Sequence, residues 1–315
     1  MISRRILRIK AMQTLYSFYQ GGDMDLVKSE KELMYSIEKS YDLYFYLMLL
    51  GINVVDYARQ QIEAKKQKFR PSDEELNPNM KFVNNRFIAQ LRENKNLSER
   101  IEQKKLSWVN NMDVPKRIFS NLEASDTYKA YMADPETSYA KDKELIIYMF
   151  QEIISECQEM YKTLEDISVY WIDTAEFIIG MVLRTLGRYK IGFDESYPLM
   201  PMFKSQDDKE FVQKLFRRAV ARNNEYRKLI SDNAQNWDLD RIAFLDIVIL
   251  EAALAEVESF PEIPLRVTFN EYIELAKCFS TEKSPVFING ILDKIVQQLK
   301  EQGTISKIAE MPEDR

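Results

Sequence analysis

Apolar residues recur along this chain at helical rather than strand spacing. Between Ser3 and Gln20, Leu7, Ala11, Leu15 and Phe18 fall at intervals of four, four and three, which places them on one helical stripe. Ser3 has the side chain of an N-cap, and Gly21-Gly22 supplies a stop. A second helix is expected from about Asp25 to Lys68. Leu43, Leu47, Leu50 and Val54 form its stripe, with Tyr41, Tyr44, Phe45 and Tyr46 around it. Its end is basic, with Arg59, Lys65, Lys66, Lys68 and Arg70 against Glu63, and Pro71 to Pro78 reads as an acidic loop. Further helices are expected at about 81–93, 97–110, 115–132, 139–164 and 168–188. The last carries Trp171, Ala175, Ile178, Ile179 and Val182.

Pro198 and Pro201 mark 192–204 as the best linker in the chain. One long helix is then expected from about Asp207 to Trp237, with Phe211, Leu215, Val220, Leu229 and Ile230 as its apolar positions. Asp238 can cap the next helix, whose buried stripe is Ile242, Leu245, Ile249, Ala252 and Ala253. Thr268 and Glu271 read as a capping box, in which side chain and backbone satisfy each other reciprocally. Ser284-Pro285 restarts the chain as N-cap and first helical residue, and Gly303 ends that helix. No segment alternates as a strand, so the expected fold class is all-α. The tail at 304–315 is expected to be flexible.

Composition narrows the function. The 315 residues include 45% hydrophobic ones, enough for a core, but only 8 glycines and 10 prolines. There is no histidine, which removes Ser-His-Asp and Cys-His chemistry and the usual neutral-pH base. Cys157 and Cys278 lack a metal or disulfide spacing and read as two buried, reduced thiols. No GxxxxGK[ST] or GxGxxG loop is present, and Asp240, Asp246, Glu271 and Glu274 form no metal or acid–base spacing. The longest apolar run, Phe177 to Leu183, is far short of a membrane span. A cytoplasmic protein that is not an enzyme and needs no cofactor or metal is expected.

The formal net charge of −6 argues against wholesale nucleic-acid binding, but its distribution is uneven. From Met1 to Gly22 there are Arg4, Arg5, Arg8 and Lys10 and no acid. Arg4 and Arg8 stack at i, i+4, and three guanidiniums within two turns suit phosphate. A second basic run, Lys214, Arg217, Arg218, Arg222, Arg227 and Lys228, reads better as a solvated helix face. In Phe287-Ile288-Asn289-Gly290, the glycine suggests close approach of another backbone, and Asn289 suits either RNA or an internal hydrogen bond.

These words also carry a resemblance. SRRILRIKAMQTLYSFYQ, residues 3–20, resembles the opening helix of the NusB family. IPLRVTFNEYIELAKCFSTEKSPVFINGILDKI, residues 263–295, resembles its closing region. The resemblance implies a helical core at 1–20 and 207–303, interrupted by a helical insertion at 21–206. It implies binding of a boxA-type ribosomal RNA element together with the ribosomal protein NusE, within an RNA polymerase antitermination complex. By the same resemblance Arg4, Arg5, Arg8, Lys283, Phe287 and Asn289 face RNA, and Tyr16 and Asp240 hold NusE. Ile6 departs from the pattern, as does basic Lys283, where an acidic residue is familiar. The ordinary family has a much shorter connection there, and the insertion reads as an extra bundle, a partner platform or a homodimer surface. The alternatives are an interaction adaptor that has lost RNA binding, or an accessory domain of an RNA methyltransferase.

Overall fold

A computed structural model describes residues 1–21, 25–234 and 243–305. Among these it is all-α, with fifteen α-helices and no strand. In chain order they are α1 (Arg4–Gln20), α2 (Leu26–Lys66), α3 (Asp73–Leu76), α4 (Arg86–Glu93) and α5 (Lys95–Lys104). There follow α6 (Asp113–Ala124), α7 (Asp126–Ala133), α8 (Tyr139–Tyr148), α9 (Gln158–Ile167) and α10 (Ala175–Arg188). The series ends with α11 (Gln206–Ala221), α12 (Asn223–Asn233), α13 (Phe244–Ser259), α14 (Leu265–Phe279) and α15 (Ser284–Glu301). The chain packs as two compact units. One holds Met1–Ile2 and Glu38–Met202, and the other holds Ser3–Ile37 and the chain from Phe203 onward.

In the second of these units α13 is the central element, packed by α1, α11, α12, α14 and α15. Its sequence explains the position. From Val248 to Val257 every residue is buried, and all but Glu251 and Glu256 are apolar, so the helix is surrounded on every side. Its neighbours each turn one stripe inward: Phe211, Leu215 and Phe216 on α11, Tyr272 and Leu275 on α14, and Ile288, Ile291, Leu292 and Ile295 on α15. The start of α2 belongs here too, through Glu30, which accepts from Arg217 and Gln213 of α11.

The other unit is built on the remainder of α2. Its Leu43, Leu47, Leu50 and Val54 are fully buried. Tyr46 stacks on Trp108 at 4.1 Å and lies 5.2 Å from Trp171, and the Trp108 indole N–H donates to the Tyr46 carbonyl at 2.9 Å.

Several expected elements differ in detail. The helix expected over 207–237 breaks at Arg222, whose φ of −108° and ψ of 15° leave the helical region. No proline or glycine signals the break. The Arg222 guanidinium reaches Glu258 of α13 at 3.3 Å and also pairs with Glu225. The expected helices at 115–132 and 139–164 are each divided. Ser125 caps α7, and a turn near Ser155–Cys157 precedes α9. The capping box at Thr268 and Glu271 is not formed. α14 begins at Leu265 behind Pro264, and Thr268 is buried inside the helix, donating to Glu256. Ser284 falls one residue inside α15, with Lys283 at the N-cap position. Gly303 does end α15. Its φ is +65°, its N–H reaches the Lys300 carbonyl, and the Thr304 N–H reaches Leu299, which is the Schellman pattern. Asp238 and Ile242 lie outside the described residues.

The expectation that Gly290 admits a neighbouring backbone is overturned. A Cβ built there meets nothing within 4 Å. In mid-helix a glycine costs roughly 0.5–1 kcal/mol relative to alanine. Gly290→Ala is therefore expected to stabilise the fold by about that amount, read as a higher denaturant midpoint at unchanged slope. A destabilisation would show that something does occupy the site.

Candidate nucleic-acid interface

Three carboxylates are buried along α13, at Asp246, Glu251 and Glu256, and their spacing of five residues turns them to different sides of the helix. A buried carboxylate needs partners, and these come from the surrounding elements: α1 and α14 for Glu256, α12 for Glu251, and the turn from α14 into α15 for Asp246. Glu256, fully enclosed, accepts from Arg8 Nε and Nη2 at 2.7 and 2.8 Å, from Thr268 Oγ1 at 2.9 Å and from Tyr272 Oη at 3.2 Å. Glu251 accepts from Arg227 Nε at 2.8 Å. Burial pushes its carboxyl above the ordinary range, and Arg227 pulls in the opposite direction. Asp246, in the first turn of α13, accepts from Ser280 at 2.6 Å and Ser284 at 2.8 Å.

This framework decides where the candidate RNA residues stand. Arg8 requires a correction, because it is 3% exposed and its guanidinium is consumed by Glu256, with Glu271 at 3.7 Å. Burial works against its charge, but the hydrogen bonds and charge of Glu256 prevail and hold it above the ordinary arginine value. It offers no face to a phosphate in this fold. Arg5 is half-exposed and makes a two-pronged pair with Glu271 at 2.9 and 2.8 Å. Arg4, also half-exposed, pairs with Asp208 at 2.9 Å and lies over the Phe211 ring. The three arginines thus meet three carboxylates, and the basic helix is far more neutral than its own sequence implies.

The other group lies at the start of α15. Ser280, Thr281 and Ser284 bond one another and Asp246, which closes the turn between α14 and α15. That turn leaves Lys283 exposed. Phe287 needs a correction: it is 4% exposed and anchors the helix from within. The residue outside is Val286, 70% exposed, flanked at spacings of three by Lys283 and Asn289, which are exposed as well. Lys283, Val286 and Asn289 therefore form one outward ridge. Val286 was legible from that spacing, but its aromatic neighbour is the more conspicuous residue.

Tyr16, two-fifths exposed, meets Phe244 edge to face at 5.5 Å, about 18 Å along α1 from Arg4 at 1.5 Å per residue. Asp240 lies outside the described residues. Five of the six residues of the second basic run are engaged within its own unit, Arg217 by Glu30, Arg218 and Arg222 by Glu258, Arg227 by Glu251, and Lys214 by the Ser259 carbonyl, while Lys228 is exposed. Of the two cysteines Cys157 is buried, but Cys278 is exposed near the end of α14, contrary to expectation.

The profile of the NusB family matches residues 197–297. Transcription antitermination protein NusB of Salinibacter ruber is 35% identical over 108 residues, 34% of this chain and 68% of that protein. The protein of the same name from Geobacter sulfurreducens is 36% identical over 115 residues, 35% of this chain and 83% of that protein. This chain belongs to the NusB family. A third relative of that name, from Alkaliphilus oremlandii, is 38% identical over 93 residues, 30% of this chain and 67% of its own length. No solved structure matches the chain. The NusB match includes the ridge at Lys283, Val286 and Asn289 and the three-carboxylate helix α13. It leaves outside it α1 with its arginines and everything from Leu26 to Ser196. Among the described residues no cluster of side chains could hold a metal, and no helix is long and apolar enough to cross a membrane.

Proposed function

We propose that this chain is a transcription antitermination factor that binds a boxA-type ribosomal RNA sequence together with NusE, for assembly with RNA polymerase. The observation that carries the reading is the exposed ridge of Lys283, Val286 and Asn289, held by the Asp246 turn inside the segment that matches the family. Lys283 supplies a phosphate contact, Asn289 a hydrogen-bonding edge for a base, and Val286 an apolar contact between them. Arg4 and Arg5, with more than a third of their side-chain surface free, flank the contact, whereas Arg8 and Phe287 act as positioning residues. Tyr16, with Asp240, is the proposed NusE contact. Segments 1–20 and 207–303 are the RNA-binding core in this reading, with 21–206 as an accessory insertion. The work is assembly rather than catalysis.

The test is anisotropy of a labelled boxA-type RNA with the full chain, alone and with NusE. Affinity is expected to fall steeply with salt and to rise roughly tenfold with NusE, within the usual range of coupling between sites. An affinity unmoved by NusE would remove the partnered reading. One observation favours a second reading, an adaptor without RNA binding: all three N-terminal arginines are paired with carboxylates. Absence of RNA binding at low salt, with NusE present, would select it.

A further inference from the structure

The unit holding Glu38–Met202 carries a projecting aromatic side chain and an aromatic cavity on adjoining parts of one surface. α2 ends at Lys66, and the turn that follows places Phe69 with 96% of its surface in water. Full exposure of a phenylalanine forgoes the stabilisation available on burial. Nearby lies a cavity of about 640 Å³, floored by Phe82, Phe119 and Tyr128. Their rings pack at 5.3 to 6.2 Å, and Tyr57 adds a further edge to Phe119. The lining also includes Lys65, four residues before Phe69, and Glu74 and Glu75, five and six residues after it. The aromatic side chain therefore stands beside a cavity it does not enter.

We propose that this face joins two copies of the chain, with Phe69 of each seated in the aromatic cavity of the other. A two-fold interface needs one surface that contains both halves of the contact, so that each subunit gives and receives. Phe69 and the cavity are those halves. The charges around them fit a second copy better than another partner. Residues 63–75 hold four cations, Lys65, Lys66, Lys68 and Arg70, and four carboxylates, Glu63, Asp73, Glu74 and Glu75. A strongly one-signed face would repel its own image, and nucleic acid would call for a cationic excess. A balanced rim does neither. Lys66 pairs with Glu63 and Lys68 with Glu75 within the chain, which leaves Lys65, Arg70, Asp73 and Glu74 to meet opposite charges across the two-fold, around an apolar centre with an aromatic anchor.

Sedimentation velocity of the full chain from about 1 to about 100 μM tests this, a range in which a modest interface associates measurably. The intact chain is expected to pass from monomer to dimer. Phe69→Ser removes the projection, and Ala133→Trp, at an exposed cavity-lining position, blocks the mouth. Each is expected to weaken the dimer roughly 30-fold per lost contact, the scale of an interface hot spot. Both positions are exposed, so thermal stability should be unchanged in either variant. A chain that stays monomeric throughout, leaving the face to a different protein, would overturn the proposal. So would a dimer left unchanged by either substitution.

Discussion

Glu256→Ala is expected to destabilise the unit built around α13 by about 3–5 kcal/mol, the usual cost of breaking a buried ion pair from one side. The reason is what remains. Arg8 would keep its charge at 3% exposure with both of its short hydrogen bonds to Glu256 gone, and only Glu271 at 3.7 Å nearby. Thr268 Oγ1 and Tyr272 Oη would lose their acceptor in the same step. Arg8→Ala should cost a comparable amount, since it leaves the carboxylate instead. The double variant Arg8→Met, Glu256→Met should recover part of the loss, because it removes the stranded charge, while Thr268 and Tyr272 still lack the acceptor that Glu256 gave them. Urea unfolding of the three variants measures this, with the interaction read as the departure from additivity. A single-variant loss below about 1 kcal/mol would show that the pair is solvated, contrary to the geometry.

Trp108→Ala is expected to cost the unit holding Glu38–Met202 about as much, roughly 3–5 kcal/mol, the range for deleting a large aromatic from a core. Trp108 is wholly buried, stacks on Tyr46 and donates its N–H to the Tyr46 carbonyl. Tyr46 also bears on Trp171, so one deletion loosens a three-ring stack that joins α2 to two separate loops. Val109→Ala, one residue on at 74% exposure, should stay within about 0.5 kcal/mol and serves as the control. Loss of helical circular dichroism with urea distinguishes them. Equal midpoints for the two variants would contradict the packing described.

The existence and type of most helices were legible from apolar spacing, because helices such as α10 and α15 turn a single stripe inward. α13 was read as a helix with one buried stripe, whereas it is buried on every side at the centre of its bundle. What could not be read was where charges find each other. Arg4, Arg5 and Arg8 form a cationic cluster along the chain, but Asp208, Glu256 and Glu271, which meet them, lie more than two hundred residues away. A clue was present. Glu256 stands in an apolar run, and Arg8 stands three and seven residues before Ala11 and Leu15, on the inward side of α1. A buried acid and an inward-facing base each require the other. The capping box at Thr268 and Glu271 failed for the same reason. Its threonine serves Glu256 and its glutamate serves Arg5, so long-range pairs displaced a local motif. The break at Arg222 likewise coincides with a reach across to Glu258, which no local residue announces.

The central claim is that the ridge at the start of α15 touches RNA. Lys283→Glu tests it most directly, because folding and binding should respond in opposite senses. Lys283 sits at the N-terminus of α15, where a negative charge favours the helix dipole, so stability should hold or rise by a few tenths of a kcal/mol. Affinity for a boxA-type RNA, measured with NusE present across a salt series, should fall about tenfold. The slope of log affinity against log salt should flatten by about one. An affinity and slope equal to those of the unaltered chain would contradict the account.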